Sequence, residues 1–210
     1  MNNELIKRFI SSIIMLPIII LVILKGSFIF NLFLFFLFLL ASYEWFKMSK
    51  KKIIKSFLGI LFLILSFYSA YQLRDQSGFN FFIFLVLICV FTDIGGFFFG
   101  KLFKGPKLTK ISPKKTYSGV IGSFVLPLFF GLISYSYTNL NYSEFIKINL
   151  ILLILIISFT SQLGDLIISY FKRIAKVKDT GKFLPGHGGI LDRIDGLIFV
   201  IPFIYLITIL

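Results

Sequence analysis

Four of the nine acidic residues in this 210-residue chain, and its only histidine, fall in one polar, glycine-punctuated run from Ser161 to Gly196. The run lies between two strongly apolar segments, where a carboxylate is costly and points to function before decoration. Gln162, Asp165, Ser169 and Lys172 recur at spacings of three, four and three, which places them along one face of an α-helix. Asp192 and Asp195 flank Arg193 at the start of the next apolar segment, with both carboxylates again on one helical face. Two helices can therefore aim carboxylates at one point. Hard cations such as Mg²⁺ take oxygen ligands, commonly one or two carboxylates completed by water and substrate phosphates, so the pattern suits metal-assisted phosphate chemistry. The competing explanations are polar ties between helices for the Gln162 stripe and a macrodipole interaction for Asp192 and Asp195.

The connection between these two segments supplies cations and permissive backbone. Lys172, Arg173, Lys178 and Asp179 lead to Pro185-Gly186-His187-Gly188-Gly189, and glycines let main-chain N–H groups come close to an anion. A lone histidine is weak evidence for chemistry, but three flanking glycines make His187 a poor core filler and a better ligand-facing group. Lys176 and Lys182 read as membrane-surface charge. Upstream, Asp93, Gly95, Gly96, Gly100 and Lys101 precede Ser112, Lys114, Lys115 and Thr116, which run into another apolar segment at Gly119. Lysines, hydroxyls and N–H groups at a helix start can hold phosphates. The G-x-x-x-x-G-K-[ST] spacing of a P-loop is absent, so an ATPase reading has no motif. Gly96 and Gly100 serve equally well as close-packing residues between helices. Glu44, beside Trp45, reads as interfacial and stays outside the candidate site.

The elements that must position these groups are membrane helices. The chain is 58% hydrophobic with 29 phenylalanines, more than a water-soluble domain of this size could bury. Apolar segments run from Phe9 to Leu24, Phe28 to Phe46, Phe57 to Tyr71, Phe79 to Phe99, Gly119 to Tyr137, Ile146 to Phe171 and Ile194 to Leu210. The expected fold class is all-α, a polytopic integral membrane helical bundle of about seven transmembrane helices, organised as a single membrane domain over 1–210. The first segment has the outline of a signal peptide, but Lys25-Gly26-Ser27 offers no cleavage site and a retained helix is expected. With the amino terminus cytoplasmic, nineteen Lys and Arg fall on the cytoplasmic side and three on the other, in accord with the positive-inside rule. Asp93, Asp165, Asp179, Asp192 and Asp195 then all lie at or near cytoplasmic helix ends. The net charge of +13 is explained by topology and anionic lipid headgroups, without nucleic acid. Cys89 stands alone, which excludes an intramolecular disulfide and a Cys-based zinc site. No internal repeat supports an inverted-repeat transporter.

The pattern Ser169-x-x-Lys172-Arg173-x-x-x-x-Lys178-Asp179, followed by Pro185-Gly186-His187-Gly188-Gly189-x-x-Asp192-Arg193-x-Asp195, resembles the signature of phosphatidate cytidylyltransferases. Ser161-Gln162-x-Gly164-Asp165-Leu166 and Ser112-Pro113-Lys114-Lys115-Thr116 are similar to that family as well. The resemblance runs from about Asp93 to the carboxyl terminus, the expected catalytic part; the first three segments add membrane character only. It implies an Mg²⁺-dependent nucleotidyltransferase of phospholipid biosynthesis, in which CTP and phosphatidate give CDP-diacylglycerol and pyrophosphate at the cytoplasmic leaflet of a bacterial inner membrane. Asp165 and Asp192 would be metal ligands, with room for a second cation. The candidate catalytic residues are Asp165, Asp192, Asp195, Lys172, Arg173 and His187. The candidate substrate-binding residues are Asp93, Ser112, Lys114, Lys115, Thr116, Ser169, Lys178, Asp179, Gly188, Gly189 and Arg193. Membrane lipids are expected partners, and a homodimer is left open. Two departures touch the upstream loop: Ser118 stands where the family usually has an acid, and Gly96-Phe97 replaces a common Ala-Tyr. The alternatives are a CTP-dependent polyprenol or dolichol kinase-like enzyme and, in a different class, a cation transporter.

Overall fold

The computed structural model describes residues 19–49, 52–109, 112, 115–138, 146, 148–181, 183 and 188–209. Helical residues 19–25 precede α1 (Ser27–Ser49), α2 (Ile53–Phe103), α3 (Tyr117–Thr138), α4 (Leu150–Ile174), the single turn α5 (Leu191–Ile194) and α6 (Leu197–Ile209). No strand forms among the described residues, and the protein is an all-α membrane protein. Four helices, α1 to α4, are long and apolar enough to cross a membrane, and α6 is a shorter apolar helix. Helix is the expected answer in hydrocarbon, because an open chain would leave backbone N–H and C=O groups with no partner. Most of the first apolar segment, Phe9 to Leu24, lies outside the described residues.

The third and fourth segments read from the sequence form one assigned helix, α2, broken in its middle by Gly78 at φ 73° and ψ 173°. A left-handed φ of this kind is open to glycine at no steric cost. Residues Ser66 and Ala70 before the break and Phe82 and Val90 after it line the same cavity of about 260 Å³. In a straight helix Ser66 and Val90 would stand about 36 Å apart, so the two limbs fold back on each other. Arg74 closes this end of the bundle, donating from Nε and Nη2 to the carbonyl of Ile23 at 3.1 and 3.0 Å.

Other ends are set by local chemistry. Thr116 caps α3, its Oγ1 accepting from Gly119 N at 3.1 Å, and Asn149 caps α4, its side chain accepting from Ile151 N at 2.8 Å. Helix α4 stops in a Schellman motif, with Val177 N donating to Lys172 O at 3.0 Å and Lys176 N to Arg173 O at 3.1 Å. Lys176 takes the left-handed position at φ 57°, where glycine is more usual. The segment expected to begin at Ile194 divides instead into α5 and α6 around Asp195 and Gly196.

The bundle packs through small residues. Helices α2 and α3 make the most extensive pairing, and a Cβ on Gly95 would fall on the carbonyl oxygen of Gly122. Gly96 faces Ser123, and Gly100 lies against Thr116 and Gly119, so both serve the same close approach. Across this pair Phe91 and Phe130 stack with centroids 3.9 Å apart. Thr92 Oγ1 lies 3.1 Å from Ser158 Oγ and ties α2 to α4, while Ser66 Oγ lies 2.7 Å from Ile198 O and ties α2 to α6. Phe28, Phe57, Phe97 and Phe129 are strongly exposed, as a lipid-facing surface requires. Gly122→Val should place a branched side chain against Phe99 and Gly95 and cost about 1–3 kcal/mol. The check is the thermal midpoint of the detergent-purified protein, and a midpoint equal to the parent's would refute this account of the α2–α3 contact.

Candidate active site

The folding pattern gathers one end of the bundle. The carboxyl end of α1, both outer ends of α2, the start of α3, the end of α4 and α5 meet there, as Trp45 Nε1 donating to Lys55 O at 3.2 Å and Lys115 pairing with Asp165 illustrate. A cavity of about 320 Å³ opens at this end, of the size that small ligands occupy. Asp93 from α2, Ser112, Lys115 and Thr116 from the following loop, Asp165 from α4, and Asp192 and Asp195 around α5 all line it. Seven of the sequence-selected residues thus share one cavity.

Two ion pairs organise the charges. Lys115 Nζ lies 2.6 Å from Asp165 Oδ2, and Lys172 Nζ lies 2.7 Å from Asp192 Oδ1. Asp165 Oδ1 also accepts from Ser169 Oγ at 3.2 Å, one turn along α4. Asp93, Asp165 and Asp195 share the cavity wall, where their charges act on one another. Asp195 Oδ1 accepts from Gly196 N at 2.9 Å.

Asp192 is the most heavily committed of the acids. Its Oδ2 accepts from Thr180 N at 2.8 Å, Thr180 Oγ1 at 3.0 Å and Gly189 N at 3.1 Å, while Oδ1 faces Lys172. The Gly189 N–H, expected to meet a substrate anion, is therefore spent on Asp192. Thr116 is likewise used in capping α3, and Ser118 Oγ donates to Lys104 O and sits 3.0 Å from Thr116 Oγ1.

Several selected residues stand away from the cavity wall. Arg173, Lys178 and Asp179 are exposed at the end of α4 and just beyond it, and Asp179 packs near Gly188, which has φ 90°. Arg193 lines a second, apolar cavity, while its chain neighbours Asp192 and Asp195 line the first. Lys114 and His187 lie outside the described residues. Three residues outside the sequence-predicted site belong to this region. Gln162 lines the cavity, and its buried Nε2 has no hydrogen-bond partner among the described residues, a donor left for a ligand oxygen. Glu44 and Trp45, read as interfacial, are 1% and 6% exposed. The signal for Glu44 was present in the sequence: an acid inside an apolar helix, the same reason that singled out Asp165.

A hard cation fits this donor set in a particular way. Among the described residues no cluster of three or more His, Cys, Asp or Glu encloses an ion. Mg²⁺ needs no such cage, since it keeps water and substrate phosphates and takes one or two carboxylates. Asp165 and Asp195 both line the cavity, whereas Asp192 would have to release Lys172.

A helical membrane protein with a lysine- and carboxylate-lined cavity at one end of the bundle is the class that the fold and site define. The model of the cytidylyltransferase family matches residues 51–210. The phosphatidate cytidylyltransferase of Rickettsia bellii is 34% identical over 216 residues, covering 99% of this chain and 92% of that protein. That of Rickettsia felis is 31% identical over 215 residues, covering 100% and 94%. That of Staphylococcus saprophyticus is 37% identical over 153 residues, covering 72% of this chain and 57% of that protein, so the chain spans little more than half of the staphylococcal relative. The chain belongs to the cytidylyltransferase family. Nothing in these similarities supports the kinase-like or transporter readings.

The Lys172–Asp192 pair is buried, with side chains 11% and 7% exposed, and removing one partner of such a pair costs about 3–5 kcal/mol. Lys172→Met should therefore lower the thermal midpoint, and adding Asp192→Asn should recover part of the loss. A double variant no more stable than Lys172→Met would contradict the pairing.

Proposed function

We propose that this chain transfers CMP from CTP to phosphatidate, giving CDP-diacylglycerol and pyrophosphate, at the cytoplasmic face of a bacterial inner membrane. The observation that carries the reading is the cavity itself: Lys115, Asp93, Asp165, Asp192 and Asp195 line it at the end of a membrane bundle, with Lys172 paired to Asp192 and Arg193 lining a second, apolar cavity. The family and the names of its relatives supply the substrates. The site lies where a water-borne nucleotide and a membrane lipid can both arrive. The catalytic part is residues 93–210 of a single membrane domain.

A phosphate oxygen of phosphatidate attacks the α-phosphorus of CTP, the new P–O bond forms, and the bond to the β-phosphate breaks with its electron pair leaving on pyrophosphate. Catalysis rests on holding the two phosphates in line and neutralising their charge. Asp165 and Asp195, and Asp192 if Lys172 shifts, would hold Mg²⁺, which would supply charge neutralisation at the phosphates. Lys115 leaves Asp165 to contact a substrate phosphate, and Gln162 Nε2 donates to a substrate oxygen. Arg193 stands at the lipid side and steers the phosphatidate headgroup. Lys172 holds Asp192 in its orientation.

The test is purified protein with cytidine-labelled CTP, phosphatidate and Mg²⁺. Label should enter lipid, pyrophosphate should appear, and a chelator should stop both. Asp165→Asn should reduce the rate by about 100-fold or more while the protein still inserts. Lipid phosphorylated without cytidine would overturn the reaction, and normal turnover in Asp165→Asn would overturn the role of that carboxylate.

A further inference from the structure

Glu44 lies in α1, before the first residue matched by the family model, and none of the chemistry above uses it. It is 1% exposed, and a carboxylate hidden from water must be satisfied by protein donors. Its donors all come from the far end of the chain. Oε1 accepts from Ile190 N at 3.0 Å, and Oε2 from Leu191 N at 2.9 Å and Thr180 Oγ1 at 2.8 Å. No lysine or arginine pairs with it among the described residues.

The backbone is shaped to receive this carboxylate. A Cβ on Gly181 would fall on Glu44 Oε1, and one on Gly189 would fall on Thr180 Oγ1 and Glu44 Oε2. Only glycine lets both strands of the connection close on the acid. Thr180 then joins two carboxylates. Its N–H donates to Asp192 Oδ2 at 2.8 Å, and its hydroxyl lies 2.8 Å from Glu44 Oε2 and 3.0 Å from Asp192 Oδ2. A hydroxyl has one hydrogen, so it serves one carboxylate at a time, and the main-chain N–H groups carry the rest.

We propose that Glu44 is a positioning residue for cytidylyl transfer: from α1 it clamps the connection between α4 and α5 and, through Thr180, aims Asp192 at the cavity. The inference rests on the functional reading of that cavity. The connection between α4 and α5 has no regular structure of its own over its described residues, so its path is imposed by the acids it wraps. Glutamine at position 44 would turn an NH₂ group toward backbone N–H donors and break the clamp with little change in volume.

The experiment compares the full-length parent with Glu44→Gln, Thr180→Val and the double variant, in detergent, with CTP, phosphatidate and Mg²⁺. Each single variant should lower kcat about tenfold with KM for both substrates within about twofold. The double variant should be no slower than the slower single variant, because the two residues act as one unit. Trypsin cleavage after the exposed Lys178 should quicken several-fold in Glu44→Gln. An active parent with unchanged kcat in Glu44→Gln overturns the inference alone, as do losses that multiply in the double variant. A parent that makes no CDP-lipid overturns the functional reading, and the inference with it. If Glu44→Gln does not accumulate in membranes, Thr180→Val decides: unchanged kcat and unchanged cleavage refute the clamp, and a tenfold loss with faster cleavage supports it.

Discussion

The buried contact between Lys172 and Asp192, 2.7 Å across, is the interaction on which the functional end of this protein depends. It joins the last turn of α4 to α5 and draws Thr180 and Gly189 of the intervening connection onto the same carboxylate. A charge in an apolar bundle is stable only when its lone pairs or protons are used. Asp192 meets that condition with three donated contacts and a share of the Thr180 hydroxyl, and the chain around it follows from where the donors must stand.

The same economy explains why the polar groups collect at one end. Beside the cavity the helices are held by close backbone approach at Gly95 and Gly122, by aromatic stacking of Phe91 on Phe130, and by single hydroxyls such as Thr92. None of these requires a charge. At the end where the helices open, Lys115 and Lys172 hold Asp165 and Asp192, and Asp93 and Asp195 stand beside them. Each of the two lysines rests on a carboxylate from a different segment. Asp93 and Asp195 have no lysine of their own among the described residues, so carboxylates outnumber lysines at this end.

Much of this was legible in the residues. Period and spacing put Gln162, Asp165, Ser169 and Lys172 on one helical face, and Asp165 and Gln162 do face the cavity while Ser169 and Lys172 support its acids. Over the described residues the apolar segments are helical because hydrocarbon leaves the backbone no other way to satisfy itself. Partner choice was less legible. Gly189 and Thr116 were expected to serve substrate, yet one N–H is given to Asp192 and one hydroxyl to the start of α3. Glu44 was passed over because a Trp beside it suggested a membrane interface, and its donors lie 136 to 147 residues away in sequence.

The amino-acid sequence alone therefore determined the medium, the helical class and the short-range faces on which the acids sit. These depend on composition and on contacts within about one helical turn. Tertiary structure decided which acid each lysine takes, which backbone groups are left for a ligand, and that a glutamate from α1 holds the connection beside the cavity. Those outcomes depend on desolvated contacts between segments far apart in the chain. Periodicity carries no information about such contacts until the helices have packed.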